Sequence, residues 1–247
     1  MTFLGHVVDW FTTSAHWHGA NGIPHRTFEH TLMSGGAVLI ALAIALPVGV
    51  GLGHLGKGGS TAINVSNIGR ALPSFGILVL FAQVFGLRGW PGFGARPALV
   101  ALVLLAVPPI VTNAYVGMRG VDADAKDAAR GMGMTGGQLL RRVELPLAVP
   151  LVMAGIRTSA VQVVATATLA AVTAWGGLGR YIVDGFAQRD NVQIFAGAVL
   201  VAVLALLTEL GLALVQRGLA APSIRRRAGD RRKNQVFTGA APAPETV

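Results

Sequence analysis

Apolar residues crowd into five runs of the chain, 31–53, 62–86, 97–118, 146–174 and 192–216. Each approaches or exceeds the roughly 18–20 residues that cross a ~30 Å hydrocarbon core. Lipid offers the backbone no hydrogen-bond partners, so a spanning segment must pair its own N–H and C=O groups, as a helix or a closed barrel does. Barrel strands alternate apolar and polar positions over about ten residues, whereas these runs are apolar at consecutive positions. The pattern predicts an all-α, polytopic bundle of about five transmembrane helices.

The polar connection 119–145 breaks this pattern in an unusual way. Ala125, Ala128, Ala129 and Met132 fall at i, i+3, i+4 and i+7, which is one face of a short helix. Asp122 or Asp124 can cap its start, where the helix dipole favours a carboxylate. Gly133 follows the last apolar residue, where a left-handed residue commonly ends a helix. Thr135 and Gln138 then match the T-x-x-Q capping box. A second short helix is expected to carry Leu139, Leu140 and Val143, with Pro146 opening the next span. An ordinary loop needs neither the caps nor the alanines. Helix, glycine elbow and helix together suggest a shallow ridge that slots into a partner's groove.

Composition agrees with a membrane protein. The chain of 247 residues is 53% hydrophobic and 13% charged, against about 25% charged residues in soluble domains. With no cysteine there is no disulfide and no thiolate metal site. The net charge of +9 raises the question of nucleic acid. Membrane topology accounts for it, because Lys and Arg gather on the cytoplasmic side. With the N-terminus outside, thirteen basic residues fall inside: Lys57; Arg119, Lys126, Arg130, Arg141 and Arg142; and Arg217, Arg225, Arg226, Arg227, Arg231, Arg232 and Lys233. Five fall outside: Arg26, Arg88, Arg96, Arg180 and Arg189. The C-terminus and segment 119–145 are then cytoplasmic.

Residues 1–30 carry Trp10, Trp17 and five of the six histidines, and are expected to form an outer interfacial segment. Residues 1–25 lack the basic and compact apolar regions of a cleavable signal, so the first span is expected to be retained. His16 and His18 have no third ligand at a helical spacing, and no metal site is expected. Residues 175–191 form a longer outer connection with room for an interfacial or re-entrant helix. Residues 219–247 are expected to be a basic, disordered cytoplasmic tail whose arginines touch anionic lipid. Residues 51–57 match G-x-x-x-x-G-K, but Gly58 stands where a phosphate-binding loop needs Ser or Thr. No cofactor is expected in this chain.

Polar residues inside spans are costly and point to function or helix pairing. Asn64, Asn67, Arg70 and Ser74 share one helical face of the second span, and Thr158, Gln162 and Thr166 recur every four residues in the fourth. These two stripes are candidate walls of a translocation path; hydrogen-bonded helix packing is the competing reading. Arg157 and Glu209 are a candidate intramembrane ion pair. Arg157 lies 11 residues past Pro146 and Glu209 lies 8 before Arg217, which places both roughly 12–16 Å from the inner boundary. Arg70 lies at a similar depth and is the rival partner. No Ser/His pair, paired aspartates or H-E-x-x-H motif lies in the spans, so an intramembrane enzyme is not expected.

Segment 119–145 resembles the ATPase-coupling motif of ABC-importer permeases, which reads E-A-A, three residues, G, nine residues, I, one residue, L-P. Here stand Asp127-Ala128-Ala129, then Gly133, Val143 and Leu145-Pro146 with every spacing kept. Asp replaces Glu at 127 and Val replaces Ile at 143. DAARGMGMT and VELPLAVPLVMAGIRTSAVQ, with RALPSFGILVL at 70–80 and GGLGRYIVDGF at 176–186, look like permeases for glycine betaine, carnitine and choline. The resemblance covers about residues 28–218. It implies a path for a small quaternary-ammonium solute and a second permease chain, identical or related. It also implies two separate ATP-binding subunits, which hold the ATP and Mg, and an extracytoplasmic substrate-binding protein in a bacterial inner membrane. A methionine or other amino-acid importer shares the motif and stays open. A secondary transporter acting alone would account for the polar stripes but not for the capped segment.

Overall fold

A computed structural model describes residues 2–59, 63, 64, 67, 69 and 73–219. All regular structure among the described residues is helical. Helix α1 (Phe3–Thr12) is followed by a 3-10 turn (Ser14–Trp17), α2 (Ile23–Leu55), α3 (Ser74–Leu87), α4 (Ala95–Arg119) and α5 (Ala123–Gly131). Then come α6 (Gly136–Leu139), a π-helical turn (Leu140–Glu144), α7 (Leu145–Thr166), a 3-10 segment (Ala167–Thr173), α8 (Gly179–Gln188) and α9 (Asn191–Leu219).

Among the described residues four stretches are long and apolar enough to cross a membrane: Ile23–Leu55, Ala95–Arg119, Gly136–Thr173 and Asn191–Leu219. The expected span 62–86 is described in part. Ile63, Asn64, Asn67 and Gly69 are helical, α3 forms its C-terminal half, and 62, 65, 66, 68 and 70–72 lie outside the described residues. The tail beyond Leu219 lies outside them as well.

Helix α2 begins at Ile23, well before the apolar run at 31. Pro24 sits in its first turn, where a fixed φ is already helical and the missing N–H costs nothing. The added turns carry His25, Arg26, Glu29 and His30, which hydropathy does not register as helix. The helix ends at Gly56, in the left-handed conformation at φ 68°, and 51–55 are helical. The phosphate-loop lookalike is therefore the end of a span, with residues 51–55 in the helix.

Small residues set the packing. Ala37, Ala41 and Ala45 of α2 are fully buried against Ala101, Leu105, Ala106 and Ile110 of α4. With lipid on the outside, close backbone approach and dispersion hold such helices together. A β-carbon on Gly49 would come within 2.7 Å of the Ala114 β-carbon and 2.8 Å of the Val111 carbonyl oxygen, whereas one on Gly51 would meet nothing within 4 Å. Gly49→Val is therefore expected to destabilise the bundle by about 1–3 kcal/mol, the usual penalty of overpacking. Gly51→Val is the control. Thermal denaturation in detergent should separate the two, and equal midpoints would refute this account of the α2–α4 contact.

Of these four described spans α4 is the most enclosed and α9 the least. Leu206, Leu207, Leu210 and Leu214 of α9 are each about 60–65% exposed, a surface that suits lipid tails or another subunit.

Candidate coupling segment and translocation path

The segment after α4 is built by its end caps. The Asp122 carboxylate accepts from the Asp124 N–H at 2.8 Å. At the other end Gly133 has φ 79°. The Met134 N–H donates to the Ala129 carbonyl at 3.2 Å and the Gly133 N–H to the Arg130 carbonyl at 2.9 Å. These two bonds are the Schellman pattern, which satisfies the last carbonyls of a helix. The elbow then closes on a capping box. The Thr135 N–H donates to Gln138 Oε1 at 2.8 Å and the Gln138 N–H to Thr135 Oγ1 at 3.4 Å.

Two expectations for this segment are corrected. The second helix does not stop before the span; it runs from α6 through the π turn into α7. Pro146 cannot donate to the carbonyl four residues back, and its ring would crowd that group. The widened turn, closed by the Leu145 N–H on the Leu140 carbonyl, makes room without breaking the helix. The second correction concerns the alanine face. Ala129 is only 1% exposed and packs into its own chain, while Ala128 and Met132 are exposed. The stripe open to a partner is Asp124, Asp127, Ala128, Gly131 and Met132, rotated about one residue from the expected one. Asp127 pairs with Arg130 at 3.1 Å on the surface. Such exposed pairs contribute at most about 1 kcal/mol, so the carboxylate remains available. Leu145 packs with Met118, Val121 and Ala148 and fastens the elbow to the C-terminal end of α4; Val143 and Pro146 are half-buried.

The polar stripes separate. Thr158 and Gln162 line a groove of about 700 Å³ with Ala202, Ala205, Leu206 and Glu209 of α9. Thr166 instead meets Ser74 in a narrow crevice with Leu78 and Ala98. Residues four apart on a helix drift about 40° per step, so the stripe from 158 to 166 turns from one neighbour toward another. Asn64 and Asn67 are helical and exposed, and Arg70 lies outside the described residues.

Arg157 donates to the Glu209 carboxylate and, at 2.6 Å, to Gln216 Oε1. Gln216 in turn donates to the Pro150 carbonyl at 3.1 Å. Gln216 escaped the reading of the sequence because a single glutamine near a helix end carries no pattern.

The opposite end of the bundle is also polar and cross-linked. Glu29 accepts from Arg26 at 2.9 Å and from the Gly177 N–H at 2.8 Å. His30 Nε2 meets the Val164 carbonyl at 2.8 Å. The Tyr181 hydroxyl donates to the Asn21 carbonyl at 2.6 Å, and its ring stands edge-on to Trp10. The start of α2 is thus keyed to the turn before α8. Asp190 caps α9, accepting from the Val192 and Gln193 N–H groups at 2.9 and 3.0 Å.

Burial pushes the Tyr181 phenol up to about 12, with Arg26 pulling the other way. A folded pKa above the unfolded ~10 means that this phenol's contribution is complete below pH ~10 and lost as pH rises through about 12. The other tyrosine is Tyr115. In a Tyr115→Phe variant, phenolate absorbance is expected to emerge only toward the upper value; emergence near pH 10 would show that Tyr181 is open to solvent.

Taken together, the spans and the capped solvent-facing helix between them define a multi-pass helical membrane subunit. Residues 34–221 match the model of the binding-protein-dependent transport system inner membrane component, and the chain belongs to that family. It is 38% identical over 223 residues to the choline transport system permease protein OpuBB of Bacillus subtilis, covering 90% of this chain and 98% of that protein. It is 40% identical over 193 residues to the glycine betaine/carnitine/choline transport system permease protein OpuCB of the same organism, covering 78% and 86%. The osmoprotectant import permease protein OsmW of Salmonella typhimurium is 32% identical over 199 residues, covering 81% and 92%. Among solved structures, the inward-facing MetNI methionine ABC transporter matches with a TM-score of 0.68 at 23% identity, over 78% of this chain and 94% of that one. At that identity the likeness concerns the fold.

Proposed function

We propose that this chain forms the translocation path for a small quaternary-ammonium osmolyte, choline, glycine betaine or carnitine, in an ATP-driven importer. The observation that carries the reading is the similarity to choline and betaine permeases along nearly their whole length. The capped helix α5 and its exposed stripe support a docking role toward an ATP-binding subunit. Two such subunits, holding ATP and Mg, would act from the cytoplasm. A second permease chain, identical or related, would complete the path, and a separate binding protein would deliver substrate. Thr158, Gln162, Thr166 and Ser74, with Asn64, Asn67 and Arg70, are the polar groups assigned to the path.

The reconstituted complex should accumulate labelled choline, glycine betaine or carnitine. Methionine uptake without any of these would overturn the substrate assignment in favour of an amino-acid importer. For orientation, the N-terminus is placed outside and the C-terminus in the cytoplasm of the cell membrane, on the asymmetry of Lys and Arg. Reporter fusions after residues 20 and 235 should report opposite sides; the same side for both would rule this out.

A further inference from the structure

Glu144 is the most enclosed acidic side chain at the inner end of the bundle, with 2% of its side chain exposed. It sits in the π turn that joins the elbow to α7. Its two carboxylate oxygens are divided between different elements. Oε2 meets His54 Nδ1 at the C-terminal end of α2, and Oε1 lies 3.4 Å from Lys126 Nζ on α5. Lys126 also donates to the Met118 carbonyl near the end of α4, at 3.2 Å. One carboxylate and one ammonium therefore tie the coupling helix to three spans: α2, α4 and α7.

We propose that Glu144, Lys126 and His54 form a strut that makes α5 and the inner ends of α2, α4 and α7 move as one body, with Lys126 as its positioning residue. The inference rests on the coupling role assigned to α5. Motion delivered to α5 alone would otherwise be absorbed at the residues that flank it, Gly120 on one side and the Gly133 elbow on the other. A buried carboxylate loses much of its hydration and holds its partners strongly once paired, because the alternative is an uncompensated charge. The ridge open to a partner, Asp124, Asp127 and Ala128, faces elsewhere: Lys126 is 13% exposed against 71% for Asp127. Docking and transmission are thus assigned to different faces of the same short helix, and they can be separated by mutation.

Lys126→Met keeps the aliphatic stem and the Glu144–His54 contact but removes the link to α5. In proteoliposomes holding the full complex, the ATP-binding subunits should remain bound and ATP should still be hydrolysed. Solute taken up per ATP should fall on the order of ten-fold, within the range typical of coupling between sites. Lys126→Arg, which keeps the cation, should restore most of it. Glu144→Ala should resemble Lys126→Met if it folds. The chain has no cysteine, so spin labels can be placed at the exposed Leu55→Cys and Arg130→Cys positions. Their separation should stay narrow with and without ATP, and should broaden in Lys126→Met. Unchanged uptake per ATP in Lys126→Met, or loss of the ATP-binding subunits from it, would overturn the strut. Failure of the coupling role itself is read separately, from an Ala128→Glu complex that stays intact and transports.

Discussion

Ala128→Glu and Gly133→Val are each expected to leave membrane insertion intact and to reduce uptake by about ten-fold or more, in line with typical intersite coupling. The two act differently. Ala128 is exposed on α5 beside Asp127. A glutamate there would carry a second carboxylate into the contact proposed for this face, where its desolvation opposes docking. Loss of the ATP-binding subunits from the purified complex is the expected signature. Gly133 stands at φ 79°, and a β-carbon there would meet nothing within 4 Å. The penalty for valine is therefore conformational, about 1–2 kcal/mol for a left-handed L-residue. That is too small to unfold a helical bundle, yet it opposes the Schellman bonds that set the direction of the elbow. Bound ATP-binding subunits with hydrolysis no longer stimulated by loaded binding protein are expected. Normal transport by both variants would show that 119–145 is an ordinary connection. Ala129→Glu is a poor test, because Ala129 is buried and the carboxylate would disrupt the chain's own packing.

The second large effect concerns Arg157 and Glu209. Each lies in a span, and removing one leaves the other charged at depth, where ionised groups are unfavourable. Arg157→Glu and Glu209→Arg should each lower the yield of folded protein. The double variant should recover part of it, since the Gln216 amide can turn to donate instead of accept. Recovery will be incomplete, because the Gln216 bond to the Pro150 carbonyl is lost in that rotation. A double variant no better than the worse single one would argue against a direct pair. Fluorescence-detected size exclusion of the four proteins is enough to decide.

Short-range chemistry explains what could be read from the chain. A run of apolar residues long enough to span lipid needs no knowledge of its neighbours; α2, α4 and α9 contain the runs at 31–53, 97–118 and 192–216, and α7 with the 3-10 segment after it takes up nearly all of 146–174. The caps of α5 and the elbow were legible for the same reason: Asp122, Gly133 and the Thr135–Gln138 box act within four residues of themselves. The depth match of Arg157 and Glu209 needed only the rise of a helix and the cost of a charge in lipid.

Rotation about a helix axis is a tertiary property, and it decided the rest. A turn of about one residue put Ala129 inside and Asp127, Ala128 and Met132 outside, although the periodicity of the segment treats Ala125, Ala128, Ala129 and Met132 alike. The same freedom sent Thr158 and Gln162 toward α9 and Thr166 toward Ser74. Partners far apart in sequence left no local trace: His54 and Glu144 are separated by 90 residues, His30 and Val164 by 134, and Glu29 and Gly177 by 148. Hydrogen bonding and burial at these positions depend on which helices become neighbours. The sequence by itself determined a membrane-spanning helical chain with a capped helix between two of its spans. Only the packed bundle decided which face of that helix stays open and which buried carboxylate ties it to the spans, because both depend on distances between segments that no local pattern encodes.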